Sequence, residues 1–348
     1  MNTTERTLSS HPSRIPHLAS RIDVTYRRAG VDVAGADRLI RGLRAVIRST
    51  QGPEVLPDLG QFAGLFRLGR ARWRDPVLVA STDGVGTKLQ VARLAGRHEG
   101  IGLDAVAMNV NDIVIYGAQP LFFLDYIAMG RVQPPIFRAL VRGVAEGCRQ
   151  SGCALLGGET AEMPGVYAPG DYDIAGFCVG AAERAALIDG SVVRAGDAVV
   201  GLASSGVHAN GFSLVRHVFS RAELKRHARE LLAPTTIYVP AILDICRRVR
   251  VHGLAHVTGG GLRRRLPSLV ARQAGLRVRL TGRWPVPKIF ARIQQAGAVR
   301  DEEMAKTFNM GLGMVVACRA ADAGRVIRIA ARHGIAAWVI GDVERSRA

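Results

Sequence analysis

Asp83 and Lys88 bracket two glycines in the run Ser81-Thr82-Asp83-Gly84-Val85-Gly86-Thr87-Lys88. A carboxylate at such a place suits a hard cation, an ammonium suits phosphate, and glycine removes the side chains that keep an anion from the backbone. Thr82, Gly84, Gly86 and Thr87 complete a candidate nucleotide cradle. A polar turn with no ligand would use the same residue types. The run is not GxxxxGK[ST], and neither that motif nor GxGxxG occurs in the chain, which disfavours P-loop NTPases and dinucleotide-binding domains.

Four more polar stretches lie beside apolar segments. Asn109-Val110-Asn111-Asp112 falls inside an otherwise apolar helical pattern, where polar groups are costly to bury without partners. Asp104 and Asn111, seven apart, share a face. A metal or substrate shelf and a set of internal hydrogen bonds both fit that spacing. Gly157 to Gly165 places Glu159, Thr160 and Glu162 among Gly and Pro, where carboxylates suit Mg²⁺ or substrate hydroxyls, or simply a solvated loop. Ser204-Ser205-Gly206-Val207-His208-Ala209-Asn210-Gly211 gathers hydroxyls, an imidazole and an amide at a strand-to-helix junction. That combination suits phosphate binding and proton transfer, although a lone His is more often structural. His256-Val257-Thr258-Gly259-Gly260-Gly261 runs three glycines into a helix, an anion cradle. His252 and His256 have the spacing of a helical zinc pair, but the residues after them read as strand then loop, which argues against zinc.

The elements that must position these residues follow from periodicity. Asp37–Ile47, Gly102–Gly117, Pro135–Ser151, Leu262–Ala271 and Ala320–His333 read as helices, and a helix begins over Phe212–Phe219. Pro76–Ala80, Pro120–Ala128, Ala154–Leu156, Ile174–Gly180, Asp197–Ala203, Leu254–Val257, Met310–Cys318 and Ala336–Ile340 read as strands. Ser81–Lys88 and Gly157–Gly165 are expected as loops. The alternation predicts an α/β fold with α+β layers in both halves of the 348-residue chain. Two domains are expected, 23–186 and 187–348, behind a disordered tail over 1–22 that lacks the apolar core of a secretory signal.

Composition excludes other classes. Hydrophobic residues are 48% and charged residues 22%, as in a globular protein with a sizeable core. No apolar run is long enough to span a bilayer. The five cysteines, Cys148, Cys153, Cys178, Cys246 and Cys318, form no CxxC pair and read as reduced thiols of a cytosolic protein. The net charge of +18 suggests nucleic acid as one partner, but the arginines are scattered and no nucleic-acid motif accompanies them. A basic surface that attracts anionic metabolites explains the charge as well.

Taken in order, the stretches resemble the phosphoribosylformylglycinamidine cyclo-ligase (aminoimidazole ribonucleotide synthetase) family. The match covers Tyr26 with Ala29-Gly30-Val31-Asp32, Thr82–Lys88, Val110–Asp112 with Gly117-Ala118, Pro120–Tyr126, Gly157–Gly165, Asp171–Gly180, Ser204–Leu214, Ala233-Pro234-Thr235, His256–Gly261 and Phe308-Asn309-Met310-Gly311. The resemblance implies homodimers of two-domain chains, the N-terminal domains joining into a β-barrel across the dimer and the C-terminal domain being α/β. It implies ATP, Mg²⁺ and usually K⁺ as cofactors, and formylglycinamidine ribonucleotide as substrate. By matching position, Asp83, Asp112 and Glu159 would hold Mg²⁺, with Lys88 beside the triphosphate. Gly60 and Gly64 would belong to a loop closing over nucleotide. Glu159, Thr160, Ser204, Ser205, Asn210, Thr258, Gly259, Gly260 and Gly261 would bind substrate and phosphate, and His208, His256 and Lys88 would act in catalysis. Gln61, Ala63, Arg28, Arg265 and Ser268 depart from the family pattern. They leave open a divergent paralogue that binds purine-pathway nucleotides with weak or no catalysis.

Overall fold

The computed structural model describes residues 25, 27, 29–57, 63–69 and 73–346. The expected tail over 1–22 lies outside them. Asp32 caps α1 (Val33–Arg48) by accepting from the Gly35 N–H at 3.0 Å. β1 (Pro76–Gly84), α2 (Lys88–Ala95), α3 (Ile101–Val114), β2 (Gln119–Met129), α4 (Pro134–Ser151), β3 (Ala154–Glu162) and β4 (Tyr172–Glu183) follow. Next come β5 (Asp197–Ala203), α5 (Phe212–Val218), α6 (Arg221–Arg226), α7 (Ala228–Leu231), α8 (Val239–Arg248), β6 (Val251–His256) and α9 (Gly261–Arg265). β7 (Leu276–Leu280), α10 (Lys288–Gly297), α11 (Asp301–Thr307), β8 (Leu312–Arg319), α12 (Ala323–Arg332) and β9 (Ala337–Arg345) complete the chain.

The strands form two sheets. The first has the order β1-β4-β2-β3, antiparallel except for the β2–β3 pair. The second has the order β6-β8-β5-β9-β7 and is antiparallel throughout. Each is covered by helices, so the expected mixed α/β layering holds in both halves.

α3 is apolar on nearly every side and almost wholly buried between the first sheet and α4. Close approach of the two helices depends on Gly102, where a Cβ would stand 2.0 Å from the Leu140 carbonyl oxygen. Phe123, Ile127, Ile174 and Cys178 fill the helix-covered face of the sheet. On the opposite face Leu78, Phe177 and Tyr126 remain 61%, 40% and 40% exposed.

Two expected loops begin as strand, over residues 81–84 and 157–162. Thr82 and Asp83 pair with Phe177 and Gly176, and Glu159 and Thr160 pair with Tyr126 and Ile127. Hydrogen bonding between strands uses only backbone groups, so pairing continues where the apolar pattern stops. Leu262–Ala271 is a short helix followed by a 3₁₀ segment, since Pro267 cannot supply an N–H to a longer one.

Asp125, half-buried on β2, has its pKa raised from 3.8 to about 7 by burial, opposed only by its own N–H. Between about pH 4 and 7 the unfolded chain ionises this group while the folded chain keeps it protonated. The unfolded state then binds fewer protons, and stability falls as pH rises through that window. Such a shift is worth about 4 kcal/mol for a dry group, which partial contact with water reduces to about 2 kcal/mol. Asp125→Asn is therefore expected to be more stable than wild type by about 2 kcal/mol at pH 8 and no more stable at pH 4. Denaturant unfolding at the two pH values measures this; an equal advantage at both would remove Asp125 as the cause.

Candidate functional site

The end of β1, the last turn of α3, the end of β6 and the last turn of α9 converge. Asp83 lies at the edge strand and accepts from the Gly84 N–H at 2.8 Å. Although the side chain meets solvent, crowding by surrounding protein raises its pKa, and the Asp112 carboxylate adds to the rise. His256 and Arg265 are near enough to oppose it. The Nδ1 of His256 meets the Asp112 carboxylate at 2.8 Å, so this nitrogen carries a hydrogen, while its Nε2 is buried with no partner. The Arg265 Nε is likewise buried and unpartnered. Two like charges held together, beside a cation and an imidazole with bonding capacity to spare, form a frame for a ligand.

The loop after β5 forms the adjoining wall. Ser204 Oγ donates to Asn309 Oδ1 or the Gly206 carbonyl, both at 3.0 Å, and Asn309 Nδ2 donates to Gly206 O at 2.8 Å. His208 has φ +62° and is fully buried. Burial, then the charges of His256 and Lys88, hold it well below its ordinary value, so it is neutral at pH 7. Its Nε2 accepts the N–H groups of Ser205 at 3.3 Å and Thr236 at 3.5 Å, which puts the proton on an unpartnered Nδ1. Across from it stands the Thr258–Gly261 loop, closed by Gly261 N–H donating to Thr258 O at 2.9 Å. A Cβ on Gly259 would lie 3.6 Å from Asn210 Oδ1, so the two loops face each other.

The family described as AIR synthase related protein matches this chain twice, its N-terminal domain over residues 63–182 and its C-terminal domain over 194–348. A phosphoribosylformylglycinamidine cyclo-ligase from Trichlorobacter lovleyi is 47% identical over 336 residues, 93% of this chain and 96% of that protein. A second, from Geotalea daltonii, is 46% identical over 94% of this chain and 97% of its own length. The chain belongs to the phosphoribosylformylglycinamidine cyclo-ligase family. Among solved structures, a thiamine-monophosphate kinase from Stenotrophomonas maltophilia superposes with a TM-score of 0.68 at 19% identity, covering 89% of this chain and 94% of that one. The hydrogenase maturation protein HypE of E. coli superposes at 0.63 with 20% identity, covering 89% and 93%. These last two likenesses concern the fold.

In this cyclo-ligase chain several residues expected at the site have protein partners of their own or lie on other strands. Lys88, expected beside phosphate, is wholly buried: its Nζ meets Asp104 Oδ2 at 2.6 Å and donates to Ala233 O at 3.0 Å. Glu159 sits on β3, three strands from Asp83, which is roughly 14 Å at the usual strand spacing. Among the described residues no three His, Cys, Asp or Glu side chains converge on one metal position. Glu162 serves the backbone, accepting the Asp32 and Val132 N–H groups. Thr82 donates to Gly176 O at 3.0 Å, and Thr87 meets Ser213 at 3.2 Å. His252 pairs with Asp197 at 2.7 Å, away from His256's partner. Gly64 packs on Leu156, while Gly60, Gln61 and Arg28 lie outside the described residues. Sequence reasoning underrated Arg265, counted only as a departure, and Asn309, whose side chain ties down the Ser204 loop. The position of Arg265 one turn beyond a triple glycine was the available signal.

Proposed function

We propose that this protein uses ATP to close the imidazole ring of formylglycinamidine ribonucleotide, giving aminoimidazole ribonucleotide, ADP and phosphate in purine biosynthesis. The identity of 47% along 336 residues carries this reading, and the convergence of Asp83, Asp112, His256 and Arg265 supports it. The formyl oxygen is a poor leaving group. Transfer of the γ-phosphoryl group to it makes a phosphate ester-like leaving group, the substrate's amidine nitrogen attacks the formyl carbon, and inorganic phosphate departs. Positioning and electrostatics dominate such chemistry.

Mg²⁺ is typically held by one or two carboxylates with phosphate oxygens completing its shell, and the Asp83–Asp112 pair fits that donor set. Bound there, the ion would neutralise phosphate charge. In this reading Arg265 and the backbone of Gly259–Gly261 engage phosphate, Ser204, Ser205, Asn210 and Thr258 line the substrate's path, and His256 exchanges a proton through Nε2 while Asp112 holds its ring. Glu159 and Thr160 stand on β3, outside the Asp83 cluster. The decisive test is incubation of purified protein with formylglycinamidine ribonucleotide, ATP, Mg²⁺ and K⁺, followed by assay for the aminoimidazole; no product under these conditions would leave a nucleotide-binding paralogue.

We further propose a homodimer formed through the first sheet. Leu78, Phe177 and Tyr126, with the half-buried Leu124 and Val179 among them, make an apolar sheet face open to solvent. A second copy covering it would bury the ~1,200 Å² or more that a stable interface needs. Light scattering at micromolar concentration is expected to give a dimer, and Phe177→Asp a monomer. A monomeric wild type would refute the interface. Cytosolic residence is supported by the five cysteines, all free.

A further inference from the structure

Three polar groups inside the interior belong to no ligand cradle, and each reaches across from one half of the protein to the other. Lys88 follows the short turn that leaves β1 after Asp83 and opens α2. Its ammonium pairs with Asp104 of α3 at 2.6 Å, donates to the Ala233 carbonyl at 3.0 Å and lies 5.8 Å from the Phe212 ring centre. Asp104 in turn accepts both the N–H and the hydroxyl of Thr235, at 2.7 and 2.6 Å. Two turns further along the same face, Asn111 donates to Thr236 O and accepts the Tyr238 N–H, both at 2.9 Å. Two elements that carry the Asp83 end of the cleft therefore grip one segment, residues 233–238, from the other half of the chain.

That segment holds the opposite wall. Pro234 O accepts the Ser205 hydroxyl, the Thr236 N–H reaches His208 Nε2 at 3.5 Å, and the Tyr238 hydroxyl donates to Ala203 O at 2.7 Å. Phe212 begins the helix that ends the Ser204–Gly211 loop. Space is tight: a Cβ on Gly313 would stand 2.1 Å from the Tyr238 hydroxyl oxygen and 2.6 Å from His208 Cε1. A buried ion pair costs several kcal/mol of desolvation per charge and is a poor way to gain stability, whereas a network with directional partners sets geometry.

We infer that Lys88, Asp104 and Thr235 are positioning residues that set the spacing between the Asp83 end of β1 and the His208 loop, and that Lys88 does not contact phosphate. The inference rests on the cyclo-ligase reading and on the cleft between those two walls being its site. Loss of one latch bond loosens the alignment of the two bound reactants. It lowers the rate of the bound complex more than the affinity for either reactant, which keeps its own contacts.

Thr235→Val is the cleanest probe, since it removes one hydrogen bond to Asp104 and leaves volume and charge in place. Turnover and ATP–Mg²⁺ affinity are measured on the full chain well below its melting temperature, alongside Thr235→Ser and Lys88→Met. The latch predicts kcat lowered at least ten-fold in Thr235→Val, KM for ATP and nucleotide affinity within three-fold of wild type, and recovery of kcat in Thr235→Ser. A folded Thr235→Val with wild-type kcat overturns it. So does a folded Lys88→Met that loses nucleotide affinity ten-fold but keeps kcat at saturating ATP, the pattern of a direct phosphate contact. If Lys88→Met does not fold, the two Thr235 variants decide. Wild-type protein that forms no aminoimidazole would refute the cyclo-ligase reading itself, an outcome distinct from either of these.

Discussion

Asp83→Asn is expected to lower turnover about 100-fold or more while the protein melts at the same temperature or slightly higher. The two halves of this result have one origin. Asp83 is held beside Asp112 at the open end of β1, and both crowding and that second carboxylate raise its pKa. Because the folded pKa lies above the unfolded one, the ionised carboxylate detracts from stability as pH rises through that interval, and the amide removes the loss at pH 8. An amide also removes one of two charges available to a divalent cation, which needs hard anionic oxygens. The steepest loss should appear at limiting Mg²⁺, where added ion partly restores the rate. Wild-type turnover in the variant at limiting Mg²⁺ would contradict the assignment, and a melting temperature lowered by many degrees would make Asp83 a structural residue.

The fold was legible wherever the apolar period was clean. β5 matches its expected span of Asp197–Ala203, and α4 differs by one residue at its start. Legibility ended where backbone pairing outruns the apolar pattern, as at Thr82–Gly84 and Gly157–Glu162. The site was legible as a set of loops but not as a geometry. Asp83, Asp112 and His256 meet in space although the last two are 144 residues apart. Lys88 shows the same limit: its place after a glycine-rich loop points to phosphate, and the structure sets its ammonium against a buried carboxylate from α3. Asp104 and Asn111 were correctly placed on one face, but that face grips residues 233–238, not a ligand. Spacing identifies which side chains point together; it does not identify what they point at.

The triple glycine separates those two questions residue by residue. Gly261 has φ +58°, and a Cβ there would stand 2.3 Å from Ala305 O and 2.5 Å from Phe308 O. Both are backbone atoms that cannot step aside, so Gly261→Ala should cost about 3 kcal/mol from left-handed strain and overpacking together. Gly260, with φ +91°, would meet the Arg264 side chain, whose Cδ at 2.5 Å can swing away but whose Cβ at 2.8 Å is fixed to the backbone, so Gly260→Val should carry both backbone strain and a clash. Gly259 differs from both. Its φ is ordinary, and the nearest atom to an added Cβ is Asn210 Oδ1 at 3.6 Å, across the gap between the two loops. Gly259→Ala should therefore keep its melting temperature within about 2 °C of wild type, since neither strain nor a clash is introduced. The new methyl group would project into the space where backbone N–H groups meet an anion. Affinity for a phosphate-bearing ligand should fall at least ten-fold in Gly259→Ala, measured by calorimetry with ATP–Mg²⁺ and with the substrate ribonucleotide in turn. If Gly259→Ala binds both as wild type does, the loop is a packing turn whose glycines serve Ala305 and Phe308, and phosphate binds elsewhere in the cleft.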